Sequence, residues 1–178
     1  MTSRHITYIL VILSTLTFGQ NSCNDKDLAD REKKFLKADK KGKADTYEFA
    51  DLAFNIAECY RQKTDSNSLK WYRLNAASGK ASIKGCDRYH NSEVNRTIGQ
   101  IGISEFYLGH IKESIRYLHI AIGHSKNPEH YYFLGLCEMN LGNYEIAFIE
   151  FNNFKKTSSD HKDVEDLIKK CESNIKSK

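Results

Sequence analysis

The stretch PEHYYFLGLCEMNLGNYEIAFIEFNNF, residues 128–154, decides the fold. Pro128 suits the first position of a helix, and Tyr131, Leu134 and Met139 follow at helical spacing up to Gly142. Beyond that glycine, Tyr144, Ile146, Ala147, Phe151 and Phe154 form a second stripe. The reading is helix, sharp turn, helix, with Gly142 permitting the turn. Residues 95–121, NRTIGQIGISEFYLGHIKESIRYLHIA, carry the same pattern thirty-three residues earlier. Leu141-Gly142-Asn143-Tyr144 echoes Leu108-Gly109-His110-Ile111, and Leu134-Gly135 echoes Ile101-Gly102. The same shift carries Ser114 onto Ala147, Leu118 onto Phe151 and Ala121 onto Phe154. Self-similarity at this period, in helix pairs, predicts an all-α chain. The expected architecture is a right-handed helical-repeat solenoid of antiparallel helix pairs with a C-terminal capping helix.

Working outward, Thr46 to Gly79 reads as an earlier and more diverged pair. Asp45 and Glu48 have capping-box spacing before the stripe Phe49, Leu52, Ala53, Ile56, Ala57 and Tyr60. Thr64 to Asn67 is a polar turn, and Leu69, Tyr72 and Ala76 continue to Gly79. Ala57 lies forty-five residues before Gly102, twelve more than the period. Lys80 to Asn91 supplies those twelve residues as an insertion or an extra short helix. Ser92 is placed to cap the helix bearing Ile98, Ile101 and Phe106. Upstream, residues 20–45 read as a charged helix or linker with Leu28, Phe35 and Leu36 as a narrow stripe, broken by Gly42. Val164, Leu167, Ile168, Cys171 and Ile175 mark a final amphipathic helix, the cap at 161–178. The repeats are thus expected at about 46–79, 95–127 and 128–160, in a domain spanning 46–178.

The first nineteen residues read as an address. Arg4 and His5 precede the apolar stretch Ile6 to Phe18, too short for a membrane span but the length of a signal-peptide core. Thr17 and Gly19 are small and two apart, so residues 1–19 are expected to be a signal peptide removed on export to the periplasm or medium. Cys23 offers a second reading, as a lipidated residue just past a lipoprotein-type cut; that would be the sole membrane attachment.

Composition narrows the function. The formal net charge of +4 becomes +3 without residues 1–19, because Arg4 is the only charged residue among them. No dense basic patch calls for nucleic acid. There is no Gly-rich phosphate loop and no H-E-x-x-H, and Cys86-x-x-x-His90 is half of a metal site without its other half. No cofactor, metal or catalytic residue is expected, and the histidines read as surface or turn residues. Asn95-Arg96-Thr97 matches a glycosylation acceptor, which matters only in a eukaryotic secretory route. Five cysteines leave the pairing open. Cys59 with Cys86 and Cys137 with Cys171 are the conceivable bridges, beside buried free thiols.

The unit from Pro128 to Asp160 resembles the tetratricopeptide repeat. The resemblance rests on Tyr131-x-x-Leu134-Gly135, Gly142-Asn143-Tyr144 and Ala147-x-x-x-Phe151. Glu138 and Ser159 depart from the usual aromatic and proline. The first unit is also similar to the related Sel-one-like repeat, through Trp71-Tyr72, Ala76-Ala77 and Gly79. The resemblance implies that the first helix of each pair lines an inner surface that binds a peptide or protein partner. Its candidates here are Arg61, Arg96, Ile103, Phe106, Tyr107, Tyr132, Leu136, Met139 and Asn140, with Phe54, Glu58 and Gly99 beside them. Arg61 or Arg96 would hold a carboxylate and the apolar side chains would anchor the partner. A non-enzymatic interaction module of the bacterial envelope is the expected function. The alternatives are an exported Sel-one-like enzyme acting on a cell-wall-related ligand and a purely structural subunit of an envelope assembly.

Overall fold

A computed structural model describes residues 23–84, 91–158 and 162–177. Residues 1–19, expected to be a signal peptide, and Cys86 lie outside the described residues. Eight helices occur among the described ones. They are α1 (Asp25–Asp39), α2 (Tyr47–Gln62), α3 (Asn67–Ser82), α4 (Ser92–Tyr107), α5 (Ile111–His124), α6 (Pro128–Asn140), α7 (Tyr144–Thr157) and α8 (Lys162–Lys176). No strand is present among them.

Four of the helices begin where the chain offers a side-chain oxygen. Asn24, Thr46, Asn91 and Asn127 accept from the backbone N–H of Asp27, Phe49, Glu93 and Glu129. Thr46, not Asp45, is therefore the cap of α2, and Asn91, not Ser92, that of α4. Pro128 occupies the first turn of α6, as its missing N–H allows.

The pairs are closed by one repeated device. Gly109 and Gly142 both have φ +79°, and the next residue's N–H reaches back five residues. His110 donates to the Glu105 carbonyl and Asn143 to the Glu138 carbonyl, each at 2.9 Å. Thr64 plays the same part in the first pair, at φ 54°, with Asp65 N–H donating to the Tyr60 carbonyl at 2.9 Å. Thr64 stands forty-five residues before Gly109, the offset that separates Ala57 from Gly102. The twelve extra residues therefore fall after this turn. A β-branched residue is strained in left-handed backbone. Thr64→Gly is expected to raise stability by about 1 kcal/mol, read as a shift of the urea midpoint at constant m.

Packing follows the sequence repeat. α5 and α7 have the same length and start thirty-three residues apart. Gly102 and Gly135 face the fully buried Leu118 and Phe151. A Cβ at Gly102 would come 2.8 Å from Leu118, and one at Gly135 2.6 Å from the Phe151 ring. Those two glycines set how closely each pair packs. Gly79 does not end α3, which runs on to Ser82; it lies against Ile101 and Thr97 of α4. Gly123 likewise sits inside α5.

The helices pack most closely within the pairs α2–α3, α4–α5 and α6–α7, then each second helix packs on the next pair. α2 also touches α4, and α4 touches α6, whereas the second helices are not brought into comparable contact. First helices that approach one another lie on the inside of the stack. α1 packs on α2 at one end and α8 on α7 at the other. Trp71, Tyr72, Tyr132, Phe35, Phe151 and Phe154 are all almost fully buried. Each contributes roughly 1.5–3 kcal/mol on leaving water. Phe35 sits edge-on to Trp71 at 5.3 Å, which ties α1 to the first pair. Buried polar groups add direction. Asn75 donates to the Ala50 carbonyl at 2.8 Å and accepts from Ser104 at 2.7 Å, joining α3 to α2 and α4.

The cysteines pair unexpectedly. Cys23 is bonded to Cys59, with Cα atoms 5.3 Å apart, so Cys59 does not take Cys86 as the sequence reading allowed. Cys137 and Cys171 are free and buried, which excludes a bridge between them. Burial pushes the Cys137 thiol up to about 12 and the Cys171 thiol up to about 11.

Candidate functional site on the inner face

The inner face is built by α2, α4 and α6, and it is less open than the sequence pattern suggests. Ile103, Phe106, Tyr132, Leu136 and Met139 are buried in the core, as are Phe54 and Gly99. They pack helix on helix and offer no surface to a partner. Phe106 meets the Phe133 ring edge-on, and Tyr132 packs against Phe151 and Phe154. The cause is the close approach of first helices, with the His130 imidazole lying on Gly99 and leaving no room for a side chain there. Of the predicted residues, Arg96 and Asn140 are exposed, and Arg61 and Tyr107 are half-buried.

The arginines that remain at the surface are not free anchors. Arg96 pairs with Asp51 of α2 at 3.5 Å, and Gln100 donates to the same carboxylate at 2.8 Å. Arg61 donates through Nε and Nη2 to one oxygen of Glu58, at 2.9 and 2.6 Å. The other Glu58 oxygen accepts from the Tyr72 hydroxyl at 2.5 Å. Tyr72 stacks on Tyr107 with centroids 4.5 Å apart, and the Arg61 guanidinium lies 5.8 Å over the Tyr107 ring. The expectation that these arginines wait for a partner's carboxylate therefore gives way to a different picture: each already serves a carboxylate of this chain.

Glu129 completes the cluster from the first turn of α6. Burial and the nearby Glu58 charge push its carboxyl up to about 8, with Arg61 pulling the other way. The residue as a whole is intermediate in exposure rather than fully buried. Burial, then Glu58, also raises the Tyr72 and Tyr107 hydroxyls well above the usual range, and both stay neutral. The cluster thus gathers α2 (Glu58, Arg61), α3 (Tyr72), α4 (Tyr107) and α6 (Glu129). A carboxyl raised in the folded state binds a proton that the unfolded chain releases. Stability from Glu129 is therefore complete below about 4.5, its ordinary value, and lost as pH rises to about 8. Glu129→Gln is expected to flatten that decline and to raise the melting temperature above pH 8, measured by calorimetry across the window.

Sequence reading missed Glu129 because an acidic residue after a helix-starting proline is an ordinary complement to the helix dipole. It also missed the buried glutamates of the turns. Glu105 is almost fully buried and accepts from Lys80 and from His110 Nδ1, each at 2.6 Å. Glu138 is its counterpart and accepts from Asn143 at 2.7 Å. Those pairs recur thirty-three residues apart, a signal present in the sequence. They lock turns and present nothing to a ligand. The glycosylation acceptor is closed as well, since Asn95 and Thr97 are buried in α4. His130 is buried, contrary to the surface reading, and burial pushes it down to about 4, so it is neutral at physiological pH. No group of three or more His, Cys, Asp or Glu side chains poised for a metal occurs among the described residues. No described helix is long and apolar enough to cross a membrane. No protein-family model matches the chain, and no curated protein matches it.

Proposed function

We propose that the chain is an exported interaction module of the tetratricopeptide type, which holds a partner segment along α2, α4 and α6 without catalysing a reaction. The asymmetry of the stack carries this reading. First helices meet one another and leave a partly open polar strip from Arg96 and Asp51 to Glu58, Arg61, Tyr107 and Glu129. Asp51, Arg96, Glu58 and Arg61 are each engaged with a neighbour in the strip, and none is paired as nucleophile with base. The repeat register and the Gly109 and Gly142 turns support the tetratricopeptide assignment.

The cysteine pair bears on location. Disulfides persist in oxidising compartments, so a Cys23–Cys59 bond supports export. A sulphur held in that bond cannot also carry a thioether-linked lipid, so the reading favours a chain without lipid at Cys23. The intact mass of the mature protein checks this: one disulfide and no acyl mass is expected.

The test of function uses residues that the fold leaves exposed. Arg96→Glu with Asn140→Lys is expected to leave the melting temperature within a few degrees and to abolish capture of the partner from the native envelope. Unchanged capture, or turnover of a small molecule without any bound protein, overturns the reading. Tyr132→Ala is unsuitable here, because Tyr132 is core and its loss reports folding.

A further inference from the structure

We propose that a groove on α1 is a docking surface for an acidic segment of a partner protein, one in which an apolar residue is flanked by carboxylates. The surface is separate from the inner face. Leu28 and Phe35 turn one side of α1 toward α2 and the first pair. Ala29, Lys33, Leu36, Lys37 and Lys40 recur at intervals of three and four, so they share another side of the helix. With Lys41 just past the helix end they line an open groove of about 570 Å³. All six residues are exposed. Lysine stems are apolar up to the ammonium, so with Ala29 and Leu36 they give the groove apolar walls and a cationic rim.

Charge selects the occupant. Residues 31–43 hold seven basic side chains against two acidic ones, an excess of five where the whole chain has four. The whole-chain value therefore conceals a concentration of positive charge at one end of the stack. The carboxylate in the groove lining, Glu32, accepts from the Tyr60 hydroxyl of α2 at 2.6 Å and is thereby turned to the fold. The helix dipole accounts for a cation in the last turn, here Lys37. It does not account for Lys33, a turn earlier, or for an apolar hollow among the ammonium groups. An acidic segment answers both features, because its carboxylates meet the lysines while its apolar side chain fills the hollow. A basic segment is repelled. An anionic bilayer fits less well. A plane of headgroups meets the lysine tips without filling the hollow, and Asp25, Asp27 and Asp30 at the start of the same helix oppose it. Among the described residues the lining offers no ring on which a nucleic-acid base would stack.

The probes are fluorescent ten-residue peptides with a central Glu-Leu-Glu, Gln-Leu-Gln, Lys-Leu-Lys or Glu-Ser-Glu between glycines and serines. They are titrated by anisotropy against the folded, oxidised protein. At low salt Glu-Leu-Glu is expected to bind about tenfold tighter than Gln-Leu-Gln, with Lys-Leu-Lys weakest and the margin shrinking as salt is raised. Glu-Ser-Glu is expected to bind about threefold weaker than Glu-Leu-Glu, an advantage that Leu36→Ser removes. Lys37→Gln with Lys40→Gln is expected to bring Glu-Leu-Glu and Gln-Leu-Gln within about twofold at an unchanged melting temperature, since both side chains are exposed. Lys112→Gln with Lys126→Gln removes the same charge from α5 and the loop after it and leaves the preference intact. Equal binding of the four peptides, or an unchanged preference in the Lys37 and Lys40 double variant, overturns the proposal. Lysine-dependent flotation with anionic phospholipid vesicles, or lysine-dependent self-association, in place of peptide discrimination gives the groove to another occupant and overturns it equally. Either result leaves the inner-face reading standing.

Discussion

Phe151→Ala is expected to destabilise the protein by about 3–5 kcal/mol, the range for removing a fully enclosed aromatic side chain. Phe151 is fully buried in α7, packs against Tyr132 and fills the space over Gly135. The space is shaped from both sides, because a Cβ at Gly135 would come 2.6 Å from the ring. Gly135→Ala alone should therefore also destabilise, by about 1–3 kcal/mol, since the enclosed ring has nowhere to go. In the Phe151→Ala background the same methyl enters vacated space, and its cost should largely disappear. Urea unfolding of the four proteins closes the cycle. A non-additive result establishes that the glycine is there for the aromatic; strict additivity would refute the close approach on which the repeat packing depends.

Loss of the Cys23–Cys59 bond carries the second large effect. It closes a loop of sequence separation 36, and loop-closure entropy for that length is about 3–4 kcal/mol. The Cys23→Ala, Cys59→Ala double variant should lose stability of that order, and reduction of the wild type should reproduce the loss. α1 should nevertheless remain docked. Leu28 and Phe35 are buried against the first pair, and the Tyr60 hydroxyl donates to Glu32 at 2.6 Å. Identical unfolding midpoints for oxidised and reduced protein would contradict this account of the bond.

The helices and their pairing were legible because they rest on local signals. Glycines at two turns, small residues at two close approaches and large apolar residues opposite them recur at one period, and the structure uses each as the spacing implies. The cap positions of α2 and α4 moved by one residue, since neighbouring Asp, Thr, Asn and Ser side chains compete for the same N–H groups. The first turn was legible only as polar: Thr64 does a glycine's work there, and a residue-type pattern does not reveal a strained threonine. Cys23 lies upstream of the repeat units, so their period could not predict its bond to Cys59 in the first of them.

The residues expected on the inner face lie on first helices, but most of them are buried. Helical spacing places Ile103, Phe106, Tyr132, Leu136 and Met139 on first helices, but how deeply they sink depends on how near consecutive pairs come. That distance is set by contacts such as Gly99 with His130, which only the assembled stack displays. Charge was misjudged for the same reason. Glu58 stands three residues before Arg61 on α2, a pairing the sequence displays, whereas only the packing of α2 against α4 brings Asp51 to Arg96. The outer side differs in kind. Ile146 and Ile149 of α7 are exposed there, where α5 has the Glu113–Arg116 ion pair at the corresponding positions.

Site-specific photo-crosslinking in cells that produce the protein tests the central claim most directly. A photoreactive residue is placed at Arg96 or Asn140 on the inner face, or at Ile149 on the outer. The account predicts protein adducts from positions 96 and 140 and none above background from 149. Adducts from 149 alone would contradict it and move the binding surface to the other side of the stack.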